Sequence, residues 1–434
     1  MSELIENAKL AKNASFKLAV LTAEIKNKAL LDIASLIDNK KEEIYIENQK
    51  DIDEAKEKNI DESLIKRLKL NDTKNGTSNK IKEMIQGLRD LAQLEDPVGS
   101  TLETVQLDEG FNLYKVSTPL GVVGAIFESR PDALVQIFAL CFKSGNASFL
   151  KGGSEAKYSN RKLHSLIREV IDKIIENSTI LIESREEVSE MLKLTDYVDL
   201  VIPRGSNKFV KFIEDNSKIP VLGHSDGLCH AYIDKEIDTV QALKVIYDAK
   251  MQYAAACNAI ETMLVHKDVA TDFIPLIGYM FKNNGVEIRG DEGARAVYGM
   301  GEADETDWST EYNDYIISIK IVDDIDEAIE HINEYGSKHS ELILTTNQKD
   351  AKKFEKEVDA SSIMWNCSTR FADGFRYGKG AETGISTGKI HARGPVGLEG
   401  LVIYKYLLEG NGQTVKEQTK LGYKHKKLNE KWQE

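Results

Sequence analysis

Apolar positions near the amino terminus repeat at helical spacing. Residues 1 to about 95 have the pattern of several helices, and the stretch after residue 78 places its apolar side chains three or four positions apart. Those side chains are Ile81, Met84, Ile85, Leu88 and Leu91. Ser78 is the predicted N-cap, since its hydroxyl can accept a hydrogen bond from the first turn. The pattern predicts an amino-terminal helical region.

After residue 100 the pattern changes to that of strands. Two β-like runs flank Asp108-Glu109-Gly110, which is a hairpin signal. A two-stranded ribbon is only marginally stable by itself, so we expect it to pair with something else.

From about residue 119 short apolar runs alternate with helical stretches, which predicts a mostly parallel, doubly wound sheet. A second such series begins after "IDKEIDTVQALKVIYDAK", so we predict an α/β fold with two lobes. The predicted strands are "LGVVGAIF", "ASFLKGG", "DLVIPRGS" and "HAYID" in the first lobe, and "TMLVH", "YIISIKIV", "ELILTTN" and "SIMWN" in the second. The last 25 or so residues are charged and poor in apolar side chains, as in a surface tail.

Composition narrows the functional classes. The 434 residues are 41% hydrophobic and 29% charged, and the formal net charge is −14. This charge argues against bulk attraction to nucleic acid or to an anionic membrane. No apolar run approaches the roughly 20 residues that a membrane span needs. The amino terminus lacks the apolar core of a signal peptide, so we expect a cytoplasmic protein.

Four cysteines are present, and no CxxC pair occurs among them. Only Cys257 follows a run of small residues, in "QYAAACNAIETMLVH". Small side chains allow close approach of backbone and ligand, so this thiol is a candidate metal ligand or nucleophile. Inert filling of the interior is the ordinary alternative for any single cysteine.

No GxGxxG opens the first lobe, so a dinucleotide would have to be held in another way. Three glycine-bearing segments lie where predicted strands end, which is where parallel sheets bind ligands. They are "LKGGSEA", "IPRGS" and "VLGHSDG". Lys151 and Arg204 in the first two favour phosphate binding, although each segment alone also fits a simple turn.

Two basic features suggest an anion site. Arg130 ends another predicted strand just before a proline, where a surface salt bridge is the alternative. Residues 366–395 are dense in Gly, Ser and Thr, with five basic side chains against two acidic ones. In a chain of net charge −14 this stretch predicts anion binding, with an irregular solvated loop as the alternative. The histidines show no HExxH spacing, so we predict no metal site. The spacing favours structural rather than catalytic roles for His224, His230, His266 and His391.

Several stretches together resemble one family, the γ-glutamyl phosphate reductases (glutamate-5-semialdehyde dehydrogenases) of the aldehyde dehydrogenase superfamily. The resemblance runs from about residue 5 to about 415. Its most specific parts are "PLGVVGAIFESRPD", "CFKSGNASFLKGGSEA", "DLVIPRGS", "VLGHSDGLCHAYID", "ACNAIET", "TEYNDYIISIKIVDDIDEAIEHINEYGSKHSE" and "STRFADGFRYGKGAETGISTGKIHARGPVGLEGL".

The resemblance implies an aldehyde dehydrogenase-like fold with two α/β lobes and a small β oligomerisation ribbon. The implied ranges are 1–102 and 119–235 for NADPH binding, 236–395 for catalysis, 103–118 and 396–415 for the ribbon, and 416–434 for the surface tail. A strand from "LVIYKYLL" would join the hairpin in that ribbon.

The resemblance also implies site residues. Cys257 matches the nucleophile, with Asn258 and Arg130 as further catalytic candidates, and Arg130 would meet the leaving phosphate. Cofactor contacts are expected from Lys151, Gly152, Gly205, Ser206 and Glu311. Contacts to the substrate phosphate or α-carboxylate are expected from Arg370, His391 and Arg393. Tyr253 and Ala254 depart from the family, many members of which have Arg-Pro there.

The implied reaction is NADPH-dependent reduction of γ-glutamyl phosphate to glutamate 5-semialdehyde, the second step of proline biosynthesis from glutamate. The implied partners are this small-molecule substrate, further copies of the chain and, transiently, a glutamate kinase. A CoA-acylating aldehyde dehydrogenase and a catalytically silent scaffold are the alternatives.

Overall fold

The structure is a computed structural model that describes residues 2–70, 79–128, 130–224 and 226–432. Its contacts divide the chain into two compact units. The first unit comprises Met1–Leu222, Lys379–Gly384 and Val396–Glu434, and the second comprises Gly223–Gly378 and Ile385–Pro395.

In the described part of the chain the α-helices are α1 (Glu3–Leu18), α2 (Ala23–Asn39), α3 (Lys41–Glu57), α4 (Glu62–Leu68), α5 (Lys80–Gln93), α6 (Pro131–Lys143), α7 (Lys157–Ile171), α8 (Arg185–Met191), α9 (Asn207–Asn216), α10 (Thr239–Met251), α11 (Lys267–Asn283), α12 (Glu292–Val297), α13 (Ile325–Tyr335), α14 (Gln348–Glu357) and α15 (Val415–Leu421). Short 3-10 turns cover Ser154–Ala156, Asp307–Ser309, Thr369–Phe371 and Leu398–Leu401.

The strands of the same part are β1 (Thr101–Asp108), β2 (Phe111–Pro119), β3 (Val122–Phe127), β4 (Ala147–Lys151), β5 (Thr179–Leu181), β6 (Leu200–Arg204), β7 (Cys229–Ile233), β8 (Ile260–His266), β9 (Glu287–Gly290), β10 (Gly301–Glu302), β11 (Ile316–Val322), β12 (Ser340–Leu344), β13 (Ser362–Trp365), β14 (Ile385–Ser386), β15 (Gly394–Pro395), β16 (Val402–Glu409) and β17 (Lys426–Leu428).

Polar side chains determine where several helices begin. Ser184 and Glu187 form a capping box at the start of α8, which satisfies two otherwise unpaired N–H groups. The predicted cap of α5, Ser78, lies outside the described residues. Asn79 caps that helix instead, because its side-chain oxygen accepts from the N–H of Lys82 at 3.2 Å. The predicted apolar face of α5 is confirmed, since all five of its side chains are buried.

The first unit contains a parallel sheet of order β5-β4-β3-β6. Strands β3, β4 and β6 confirm the predicted alternation with helices. The three residues of β5 are too few to produce a readable pattern, so the sequence did not predict that strand. Because all four strands are parallel, the carboxyl ends of β3, β4 and β6 share one edge.

The second unit contains a parallel sheet of order β10-β9-β11-β8-β7-β12-β13. Strand β7 pairs with β8 and β12, so the segment "HAYID" belongs to this sheet. The predicted lobe boundary at 235 is therefore wrong. It falls after β7, whereas the second unit begins at Gly223. An alternation pattern identifies strands but not the sheet that each one joins.

An antiparallel sheet of order β16-β2-β1-β17 surrounds the predicted hairpin. The hairpin of β1 and β2 is confirmed, and β16 from "LVIYKYLL" pairs with β2 as predicted. Segment 416–434 has more structure than a surface tail, because β17 pairs with β1 through Thr104 and Leu428. In the described residues, no helix is both long and apolar enough to cross a membrane.

Candidate active site

Cys257 lies in the loop between α10 and β8, where it is partly exposed. The loop is held by an N–H of Ala256 donating to the carbonyl of Tyr253 at 3.2 Å. Gly227 packs directly against the loop, because a Cβ at that position would lie 2.6 Å from both Cα and Cβ of Cys257. Position 227 must therefore lack a side chain for the loop to hold this conformation.

The remaining cysteines are in poorer positions for chemistry. Burial raises the pKa of Cys141 to about 12 and the pKa of Cys229 well above its usual range. Burial also raises the pKa of Cys367. Cys141 and Cys229 are buried, whereas Cys367 is partly exposed. Thiols whose pKa is raised resist ionisation, so these three are weaker candidates for the nucleophile. None of the four cysteines, all of which are described, forms a disulfide.

A buried ion pair lies at the two ends of the Cys257 loop. Lys250, near the end of α10, contacts Glu261, near the start of β8, with 2.5 Å between Nζ and Oε2. Both side chains are fully buried. Burial raises the pKa of Glu261 to about 7 and lowers the pKa of Lys250. The pair therefore links the end of α10 to the start of β8 only while both partners are charged, because either charge would be costly to bury alone.

Two histidines lie next to Cys257, and neither is among the predicted site residues. A ring nitrogen of His224, a ring nitrogen of His339 and Sγ of Cys257 all lie within 4.8 Å of one another. His224 precedes β7 and His339 precedes β12, so parallel pairing brings both to the edge where β8 begins. His224 had been predicted to be structural. No local motif could reveal this cluster, because its members are dozens of residues apart in sequence.

Among the basic side chains of 366–395, Arg370 best fits the predicted anion site. Its Nε donates to Oε1 of Gln252 at 2.9 Å, and its guanidinium lies 6.0 Å from the ring centroid of Tyr253. Burial and neighbouring Arg376 lower the pKa of Arg370, whereas the charge on Cys257 raises it. Through Gln252 and Tyr253, Arg370 contacts the start of the segment that carries Cys257.

The other basic side chains of 366–395 are matched by acids. Lys389 and Arg393 both bind Asp359, each at 2.9 Å. The remaining ion pairs are Lys379 with Glu399 and Arg376 with Asp373. The local positive charge therefore does not form one open anion site, and within the described residues Arg370 has no carboxylate within 4.0 Å of its guanidinium. His391 is exposed on the same stretch.

Asn258 is buried, and its side-chain amide donates to the carbonyl of Ala372 at 2.9 Å. This contact ties the Cys257 loop to the segment that carries Arg370. The structure therefore gives Asn258 a positioning contact, and a direct catalytic role for it stays a prediction.

The predicted cofactor residues of the first unit lie at one sheet edge. Lys151 ends β4, and its Nζ donates to the carbonyl of Gly152 at 2.6 Å. Gly205 follows β6, and Ser206 precedes α9. The N–H of Ser206 donates to Glu128 at 2.8 Å, so a carboxylate already occupies this helix start. A pyrophosphate there would have to displace Glu128.

Arg130 directly precedes α6 in the first unit. Its Nη2 lies 2.9 Å from Oδ2 of Asp132, so the salt bridge that was weighed as its alternative does form. Glu311 belongs to the second unit, between the turn at Asp307–Ser309 and strand β11. The described contacts of these two residues leave their predicted roles untested.

Comparisons with known proteins agree on one family. The model of the aldehyde dehydrogenase family matches residues 2–289. A γ-glutamyl phosphate reductase of Acetivibrio thermocellus is 50% identical over 98% of this chain and 99% of its own. The chain belongs to the aldehyde dehydrogenase family, in its γ-glutamyl phosphate reductase branch.

Solved structures support this membership. The crystal structure of γ-glutamyl phosphate reductase from Thermotoga maritima has a TM-score of 0.92 and 43% identity, and covers 95% of this chain and all of that chain. A glyceraldehyde-3-phosphate dehydrogenase of Methanocaldococcus jannaschii, solved in complex with NADP, is 17% identical with a TM-score of 0.66 over 94% of both chains. The second likeness shows the fold alone. Family membership makes the chain an oxidoreductase.

Replacing Gly227 should disturb the Cys257 loop. In Gly227→Ala the new methyl group meets the backbone of Cys257. We therefore expect a lower melting temperature and at least a several-fold change in the alkylation rate of Cys257. Peptide mapping measures that rate at Cys257 separately from the other cysteines. Overpacking of this kind costs about 1–3 kcal/mol. Gly299→Ala is the matched control, because nothing lies within 4 Å of a Cβ there. Equal behaviour of the two variants would contradict this packing.

Removing Lys250 should make stability depend on pH. In Lys250→Met, Glu261 stays buried and loses the charge that lowers its pKa, so its folded pKa exceeds about 7 while the unfolded value stays near 4.5. The stability gained by protonation is present at low pH and lost as pH rises through the folded pKa. The melting temperature relative to the unmodified chain should therefore fall between about pH 6 and about pH 9, and the corresponding loss of unfolding free energy should reach on the order of 3–5 kcal/mol.

The control for this prediction is Lys250→Met/Glu261→Gln. Gln cannot titrate, yet its side-chain oxygen can still accept from the N–H of Asn313, which lies 3.1 Å from Glu261 Oε1. Because position 261 can no longer titrate, the melting temperature of Lys250→Met should fall below that of this double variant by a margin that grows over the same pH range. A parallel pH response of both variants would show that another group is responsible.

Proposed function

We propose that this oxidoreductase reduces γ-glutamyl phosphate to glutamate 5-semialdehyde and phosphate, as the second step of proline biosynthesis from glutamate, through a thioester on Cys257. The observation that carries the proposal is the position of Cys257: it is partly exposed in a loop packed on Gly227, and Arg370 contacts Gln252 at the start of that loop. The names of the closely similar relatives supply the substrate.

The thiolate of Cys257 attacks the carbonyl carbon of the acyl phosphate, and the C–O bond to phosphate breaks, leaving a thioester and inorganic phosphate. Arg370 assists because its attraction for the sulfur also stabilises a negative charge there. Backbone N–H groups of the loop hold the carbonyl oxygen as it gains charge. Bound NADPH would supply a hydride to the thioester carbonyl carbon, and cleavage of the C–S bond would then give the aldehyde and return Cys257 as a thiolate.

Residues at the sheet edge of the first unit fit a cofactor phosphate or ribose. Lys151 is largely buried yet retains an ammonium directed at a backbone carbonyl. A Cβ at Gly205 would lie 2.5 Å from Oε2 of Glu128, so glycine allows close approach of the chain at this point. We assign Lys151, Gly152, Gly205 and Ser206 to the cofactor. Glu311, which belongs to the second unit, stays a cofactor candidate on the resemblance alone.

We assign Arg370 to the substrate with more support than the other basic candidates, because it has no carboxylate partner in the described chain. Arg393 and His391 stay secondary candidates, since Arg393 already binds Asp359. Arg130 would have to exchange its contact with Asp132 for the leaving phosphate. An arginine fork matches the geometry of phosphate oxygens, so this exchange is chemically favourable.

We also propose self-association through β16. This strand lies at the edge of its sheet and exposes apolar side chains, as a strand does when it pairs with another chain. Those side chains are Ile403, Tyr404, Tyr406 and Leu408. A glutamate kinase would supply the substrate as a transient partner, and the expected compartment is the cytoplasm.

The proposal is tested by NADPH oxidation with γ-glutamyl phosphate formed in place by glutamate kinase and ATP. Acyl-CoA serves as the parallel substrate, because a CoA-acylating enzyme would respond to it. Turnover with acyl-CoA alone would transfer the chain to that class, and turnover with neither would support a silent scaffold.

The nucleophile can be identified by single substitutions. Cys257→Ala should reduce turnover by roughly a thousandfold or more, because the thioester can no longer form. Cys141→Ala, Cys229→Ala and Cys367→Ala should keep most of the activity, and melting temperatures check that each variant is folded. Substantial turnover by Cys257→Ala would exclude the covalent route.

The reverse reaction should require inorganic phosphate. Segment 219–227 contains no Glu and only one acid, Asp226, so we expect no carboxylate there to activate water against the thioester. Bound phosphate is already ionised and should attack faster. The measurement is NADPH formation from glutamate 5-semialdehyde and NADP⁺, with and without phosphate at matched ionic strength. Equal rates would mean that water is an efficient acceptor.

A further inference from the structure

We propose that His224, Cys257 and His339 form a binding site for a thiophilic divalent cation, for which Zn²⁺ is the best match, and that its occupation blocks the thiol. The sequence predicted no metal site, since the three residues have no metal-binding spacing. Their convergence is a product of the fold.

The donor atoms are close to the separations that zinc requires. One nitrogen of each imidazole and Sγ of Cys257 lie within 4.8 Å of one another. Tetrahedral zinc, with bonds of about 2.0–2.3 Å, places its donors roughly 3.3–3.6 Å apart. The needed contraction is therefore on the order of 1 Å, which rotation of the partly exposed His224 and Cys257 side chains can provide.

The protonation of His224 favours binding. Its Nδ1 lies 2.7 Å from the carbonyl oxygen of Ile385. A carbonyl only accepts, so Nδ1 carries the proton and Nε2 keeps the lone pair. A histidine oriented by a backbone carbonyl through its second nitrogen is the usual arrangement of a metal ligand.

His339 provides an independent observation. The side chain is fully buried, and its Nδ1 lies 2.9 Å from Oγ of Ser340. Its Nε2 has no hydrogen-bond partner among the described residues. A buried nitrogen without a partner costs free energy that a metal bond would recover.

The donor set selects the kind of metal. One thiolate and two imidazoles suit zinc and other soft or borderline cations, and they disfavour Mg²⁺ and Ca²⁺, which prefer oxygen. Three protein ligands leave a fourth position for water. A metal–sulfur bond uses the electron pair that would attack the acyl phosphate, so bound Zn²⁺ should inhibit reversibly. Only this inhibitory consequence rests on the proposed function.

Binding is tested directly with the full chain, stripped of metal and kept reduced by a phosphine. Zn²⁺ is titrated against a chromophoric chelator, and Co²⁺ is added separately as a spectroscopic probe. We expect one equivalent of Zn²⁺ and a near-ultraviolet thiolate-to-cobalt band. Cys257→Ala should abolish the band, and His224→Ala or His339→Ala should weaken Zn²⁺ affinity by at least roughly tenfold.

The controls are Cys367→Ala and His425→Ala, which remove a thiol and an exposed imidazole outside the cluster and should bind as the unmodified chain does. Because His339 is buried, its variant could fail to fold, and partly exposed His224 then decides the question. Unchanged Zn²⁺ binding in both Cys257→Ala and His224→Ala, or absence of the cobalt band, would overturn the site.

An activity measurement separates this site from the proposed reaction. Zn²⁺ should inhibit turnover, and a chelator should restore it fully. Zinc binding without any turnover in the absence of metal would leave the site standing and remove the proposed function. Turnover that one equivalent of bound Zn²⁺ leaves unchanged would overturn the blocking role.

Discussion

The buried pair of Lys250 and Glu261 is the constraint on which the candidate active site depends. It joins the end of α10 to the start of β8, and the loop between them carries Cys257. Two opposite charges removed from water tolerate little separation, because each is costly to bury alone. The loop therefore has fixed ends, and the absence of a side chain at Gly227 lets the loop pack directly on the segment that precedes β7. The thiol of Cys257 thereby gains a defined position.

The parallel sheet of the second unit brings two histidines next to the Cys257 loop. Strands β7, β8 and β12 are neighbours and run in one direction, so the residues that precede them meet at one edge. His224, Cys257 and His339 come from three such positions. Ligands of open parallel sheets usually bind at the carboxyl ends of the strands. The cofactor candidates of the first unit lie at the carboxyl ends of its strands and follow that rule. Cys257 precedes β8, so it lies at the amino-terminal ends of the strands of the second sheet.

Ion pairing in 366–395 changes the conclusion that its charge composition alone suggested. Five basic side chains in a chain of net charge −14 suggested one broad anion site. Asp359 alone binds two of them, and other acids bind two more. Arg370 is left with an amide and an aromatic ring as partners, beside the thiol. A single arginine with an unmatched charge thus replaces a diffuse patch as the anion-binding candidate.

The sequence by itself determined the helical amino terminus, the hairpin, most strands of two parallel sheets, the family, and Cys257 as the candidate thiol. These follow from local periodicity, turn residues and ordered motifs, all of which are written along the chain. Tertiary structure alone decided that β7 belongs to the second sheet, that β17 extends the antiparallel sheet of β1 and β2, and that His224 and His339 flank the thiol. Sheet membership and ion pairing depend on contacts between residues far apart in sequence, and no local pattern specifies which distant partner a strand or a charge will meet.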